Sequence, residues 1–123
     1  MESIALRDIA EPVMIFNLAR SYREDLSKEA LYDATRGYWE VNIKRAKQAK
    51  YALGVYRGVV KEVYTIRRWL PAGSIPRPTL PDAEVPEKRW EFAGEPAELS
   101  VRERYAGRFI TGLNGRSPFQ YSF

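Results

Sequence analysis

Two stretches of the chain combine planar rings with guanidinium groups. In "LYDATRGYWEVN", Arg36 and Trp39 stand on either side of Gly37, which reads as the end of a helix. A ring and a forked cation so placed could stack on a flat heterocycle and hydrogen-bond its edge, as enzymes and readers of extruded bases do. The competing reading of Trp39 is a core plug beneath the helix end. In "YALGVYRGVVKEVYTIRRW", Tyr51 to Trp69, the pair Arg57-Gly58 reads as the two-residue turn of a β-hairpin. Glycine tolerates positive φ there and arginine is free to point outward. Tyr56 sits beside the turn and is the tyrosine best placed to touch something outside. Arg67 and Arg68 follow on the second strand, and Trp69 ends it, as a ligand contact or as a lid over the end of the fold. Trp90 shares a strand face with Phe92, and burial is the favoured reading for both. The candidate binding set is therefore Arg36, Trp39, Tyr56, Arg57, Arg67, Arg68, Trp69 and Trp90. Its arginines would hold phosphate or base edges, and Trp39 with Tyr56 or Trp69 would stack.

Composition removes whole classes of chemistry. The 123 residues contain no His and no Cys. A Ser-His-Asp triad, thiol catalysis, Cys-ligated zinc and a disulfide framework are all excluded. Acid–base work would fall to carboxylates, Tyr or Lys, and Glu62 is the one carboxylate expected near an apolar face, where burial would raise its pKa. No second group is placed beside it, so no catalytic residue, metal or cofactor is assigned. "GLNGR", 112–116, lacks the Gly-Lys-Ser/Thr ending and the strand–loop–helix setting of a phosphate loop, and reads as a turn before a last strand.

Charge is unevenly spread. The formal net charge is +4, and fourteen of the twenty basic residues are Arg. From 20 to 77 there are thirteen basic and six acidic residues; from 82 to 103 there are three basic and seven acidic. An Arg-rich central half suits phosphate forks and stacking on planar groups, although a merely solvated surface has the same composition. No apolar run approaches the roughly 20 residues that cross a bilayer. The first residues carry Glu2, Asp8 and Glu11 rather than a basic leader, so a cytosolic setting is expected.

The elements that must position these groups fit one domain over 1–123. "VMIFNL", 13–18, reads as a buried strand and "SKEALYDATRG" as a helix capped by Ser27. A second short helix covers 44–50, and the hairpin occupies 51–66. Plain alternation puts Tyr51, Leu53, Val55, Val60, Glu62, Tyr64 and Ile66 on one face, with Glu62 out of place unless a bulge moves it or an Arg meets it. Five of the eight prolines fall in 71–86, a long exposed loop by this reading. A strand at 89–96, a helix at 97–107 and a closing strand at "SPFQYSF" complete the chain, with 1–11 expected to be flexible. Four to six strands with two or three helices predict an α+β fold: a small mixed, mostly antiparallel barrel with helices at its ends.

"ALYDATRGYW", "AKYALGVYRGVVKEVYTI", "RWEFAGEPA" and the "SPFQY" ending together resemble a set of small bacterial and archaeal domains similar to the PUA-like superfamily, which includes PUA, ASCH, EVE and YTH domains. The resemblance runs from about Val13 to Tyr121. It implies a pseudo-barrel with an aromatic base pocket beside it, binding to DNA or RNA, and in some members a nuclease partner in modification-dependent restriction. The leading expectation is a nucleic-acid-binding module that recognises a base. The alternatives are a protein-interaction domain using the Pro-rich loop, and a small nucleotide-processing enzyme using Glu62. The chain itself holds no nuclease motif, and the expected assembly is a monomer or weak homodimer.

Overall fold

The computed structural model describes residues 2–80 and 84–123. Along them run β1 (Ser3–Ala5), a 3-10 turn (Leu6–Asp8), β2 (Val13–Asn17), α1 (Lys28–Arg36), α2 (Ile43–Ala46), β3 (Tyr51–Tyr56), β4 (Val59–Pro71), β5 (Trp90–Pro96), α3 (Leu99–Tyr105), β6 (Phe109–Thr111) and β7 (Phe119–Tyr121). The class is α+β. One mixed sheet has the order β1-β6-β4-β3-β2-β7, with β5 also paired to β4. β1 with β6 and β2 with β3 are parallel, and the other pairings are antiparallel. The hydrogen-bonded path is open, with β1 and β7 as its ends, so the sheet is not closed into a barrel.

β4 organises this sheet because it is long enough to serve three partners. β3 runs along one edge, while the other edge pairs Val59 with β6 and residues 64–71 with β5. Arg57 and Gly58 both take positive φ, 50° and 83°, the signature of a type I′ hairpin turn. Gly58 is required twice over, since a Cβ there would lie 2.4 Å from the Phe109 ring. Gly54 faces Glu62 while Val55 faces Val60, so one residue of β4, Lys61, bulges from the ladder. That bulge corrects the expected face pattern. Val63, not Tyr64, joins Val60 in the first core, and Tyr64 and Ile66 move to the second. Glu62 is met by Arg102, which forks onto both its oxygens at 2.9 and 3.0 Å.

The sheet is covered on both faces. One core gathers alternate residues of β2, β3 and β4 with Ile110 of β6 and Val101 and Tyr105 of α3. The other takes the intervening residues, Met14, Phe16 and Ala52, against Tyr64, Phe92 and the α1 and α2 region. This double burial explains why β2 and β3 read as continuous apolar runs. At the beginning of the chain β1 pairs with β6, and Ile9 is buried in the first core. Two glycines permit close approach. A Cβ on Gly94 would stand 1.9 Å from the Thr65 carbonyl oxygen. One on Gly37, whose φ of −175° is ordinary extended backbone, would stand 3.0 Å from the Cβ of Glu91.

Candidate nucleic-acid interface

Ser27 starts α1 by accepting the Ala30 N–H at 3.0 Å, and the helix carries Asp33 and Arg36 inward at its far end. Arg36 is not on a binding face. It is 1% exposed, and its guanidinium donates to Glu91 (0% exposed), to Asp33 at 3.4 Å and to the Pro76 carbonyl at 2.8 Å. The remaining Glu91 oxygen accepts from Ser74 N–H at 2.9 Å. Asp33 accepts from the backbone N–H and hydroxyl of Thr79, at 3.2 and 2.7 Å. Arg77 reaches back to the Gly37 carbonyl at 2.7 Å and lies over the Tyr38 ring at 3.7 Å. Arginines 36 and 77 with carboxylates 33 and 91 thus form a buried latch. It ties residues 74–79 of the largely exposed Pro-rich loop to α1 and β5, while 81–83 lie outside the described residues.

Other members of the expected set are also dispersed. Trp69 is core, 9% exposed and edge-on to Phe92 at 5.6 Å. Trp90 is half-buried and exchanges two backbone hydrogen bonds with Trp39, both 2.9 Å. Arg67 is exposed and bound to Glu95, with Nε to oxygen at 2.6 Å. That contact raises the Arg67 pKa and holds the Glu95 carboxyl below its usual range. Arg68 is exposed on β4, away from the clefts described next.

Trp39 packs beneath the end of α1. Its indole N–H donates to the Thr35 carbonyl at 2.8 Å, and its ring packs on Phe16 at 4.9 Å and edge-on to Phe119 at 6.4 Å. It is still half-buried rather than sealed, and lines a cleft of about 640 Å³ together with Arg20, Arg89 and Arg116. Among the described residues no carboxylate lines this cleft. Among the described residues these three arginines make no ion pair, and Arg89 has only a 3.5 Å contact with the Tyr38 carbonyl. The turn that carries Arg116 is held rigidly. Asn17, at the end of β2, donates to the Gly115 carbonyl at 3.2 Å, and its backbone N–H donates to the Pro118 carbonyl at 2.8 Å. Asn114 accepts the Arg116 N–H at 3.0 Å. The lining of this cleft therefore combines three guanidiniums with one indole.

A second cleft, about 470 Å³, lies between the hairpin turn, β6 and the 112–115 turn. Arg57 is its charged wall, and Phe109, 38% exposed, is its aromatic one. The two clefts share Asn17, Ala19 and Gly115. Outside the turn, Tyr56 stacks on Tyr22 at 4.8 Å, with Arg57 5.2 Å from the Tyr56 ring and Lys61 5.0 Å from the Tyr22 ring.

Of the residues singled out by sequence, Trp39 and Arg57 line clefts and Tyr56 adjoins one; Arg36, Trp69, Arg67 and Arg68 do not. Arg20, Arg89, Arg116 and Phe109 went unnoticed. Arg116 was in view in "GLNGR", but a turn arginine carries no local signal of what it faces. Glu62 has both oxygens engaged by Arg102. Elsewhere burial pushes the hydroxyls of Tyr64 and Tyr105 up, Tyr105 further because it donates to Glu11 at 2.5 Å. Comparison with protein families, curated proteins and solved structures finds no match to this chain. Among the described residues no helix is long and apolar enough to cross a membrane.

Proposed function

We propose that the chain is a nucleic-acid-binding module that takes one base, plain or modified, against the face of Trp39 and its phosphates on Arg20, Arg89 and Arg116. The observation that carries this reading is the cleft that those three arginines line together with a partly open indole, with no carboxylate among the described residues of its wall. An indole offers stacking worth roughly 1–3 kcal/mol per base, and unpaired arginines offer the salt-dependent remainder. The PUA-like pseudo-barrel belongs to the same proposal. Its support is that β2, β3, β4 and β6 all contribute to one core that α3 covers, and that the clefts open beside the turns joining those strands. In this reading any cutting of the bound strand, as in modification-dependent restriction, is done by a partner nuclease, and the setting is cytosolic.

The test is filter binding of short oligonucleotides, plain and base-modified, to the wild-type chain and to Arg20→Gln, Arg89→Gln and Arg116→Gln combined. Retention should fall at least tenfold in the triple variant and stay at the wild-type level in Arg67→Gln and Arg68→Gln. Trp39→Phe keeps a ring on Phe16 and should weaken binding only modestly, whereas Trp39→Ala should abolish discrimination between bases. Equal retention by the wild type and the triple variant would sink the assignment.

A further inference from the structure

We infer that the ligand is a single strand of at least two nucleotides, because the protein offers a second aromatic–arginine subsite adjoining the first. This rests on the reading of the Trp39 cleft given above. The second subsite is the space bounded by Phe109 and Arg57. Phe109 is one of few large apolar side chains left open to solvent, at 38%. It is also held in place, since its ring occupies the room that a side chain at position 58 would need. The positive φ of Arg57 turns that residue to the cleft rim, and among the described residues its guanidinium makes no ion pair.

Each cleft therefore pairs one accessible ring with at least one guanidinium that makes no ion pair among the described residues, and no described carboxylate lines either. They are not separate sites on opposite faces: Asn17, Ala19 and Gly115 form a wall common to both. A ligand crossing that wall would place successive planar groups on Trp39 and Phe109, with anionic links between them. A free mononucleotide fills only one cleft. A single strand, whose neighbouring bases can splay and stack independently on protein rings, fills both. A continuous duplex keeps its bases stacked on each other and cannot.

The experiment compares equilibrium binding of a 5′-mononucleotide, a dinucleotide and a tetranucleotide, each in ribo and deoxyribo form, to the full chain. The dinucleotide should bind at least about tenfold more tightly than the mononucleotide, the gain expected from one added stacked base. Arg57→Gln and Phe109→Ala should each remove most of that gain. Arg57→Gln keeps the aromatic packing at Gly58, so it remains informative if Phe109→Ala unfolds. A mononucleotide that binds as tightly as the dinucleotide overturns the two-subsite inference while leaving the Trp39 reading intact. Mononucleotide binding that is indifferent to the Arg20, Arg89 and Arg116 substitutions overturns both.

Discussion

Arg36 and Glu91, fifty-five residues apart in the chain, meet in an ion pair with side chains 2% and 0% exposed. The pair is completed by Asp33 and by backbone groups of the Pro-rich loop, so every charge in it has a partner. Glu91→Ala would leave a buried guanidinium with Asp33, at 3.4 Å, as its remaining carboxylate partner among the described residues. Breaking a buried pair on one side costs about 3–5 kcal/mol. Urea denaturation should show a loss of that size, and limited proteolysis should show faster cutting within 74–80. Replacing both partners, as Arg36→Met with Glu91→Leu, should recover only part of the loss, because the buried Asp33 carboxylate then keeps its Thr79 hydrogen bonds but loses its guanidinium partner. If Glu91→Ala is as stable as the wild type, the latch is not what holds the loop.

Binding should weaken with salt in a countable way. Three phosphate contacts on a single strand predict a slope of about −2 in log K against log salt concentration. Arg116→Gln should reduce the magnitude of that slope by about 0.7. Titration at four salt concentrations reads this directly, and an unchanged slope would remove Arg116 from the phosphate contacts.

Gly94 tests the close approach of β5 to β4. A methyl group there would stand 1.9 Å from the Thr65 carbonyl oxygen, a backbone atom that cannot step aside alone. The same glycine donates its N–H to, and accepts from, the Tyr32 hydroxyl at 2.9 and 3.0 Å, so both strands and α1 would have to shift. Gly94→Ala should destabilise by at least about 2 kcal/mol, measured by the same denaturation, whereas Gly115→Ala, with open space around it, should be nearly neutral to folding.

Tyr64 and Tyr105 have hydroxyl pKa values above their ordinary value, chiefly through burial. The unfolded chain ionises its tyrosines near pH 10, while the folded chain keeps these two protonated. Their contribution is therefore fully present below about pH 10 and is lost as pH rises beyond it. Denaturation midpoints should be flat from pH 7 to 9 and fall above 10, with a shallower fall in Tyr64→Phe and Tyr105→Phe. A midpoint that is insensitive to alkali would contradict the burial of both hydroxyls.

Much of the architecture was legible in local chemistry. Ser27 as a cap, Arg57-Gly58 as a hairpin turn and the apolar runs of β2 and β3 are decisions made within a few residues, where propensity and steric preference act directly. The class of chemistry was also bounded from composition, because a chain without His or Cys lacks those groups in any fold. Tertiary structure decided the rest. Arg36 looked like a ligand contact because an arginine beside a tryptophan is the same string whether it faces water or Glu91, and Glu91 lies on a strand 55 residues away. β1 and β6, three residues each, carry too little pattern to announce themselves and exist because they pair with each other. The bulge at Lys61 reversed the faces of Val63 and Tyr64, a one-residue shift that alternation cannot foresee. Arg20, Arg89 and Arg116 come from three separate turns, and only long-range packing brings their charges around one indole.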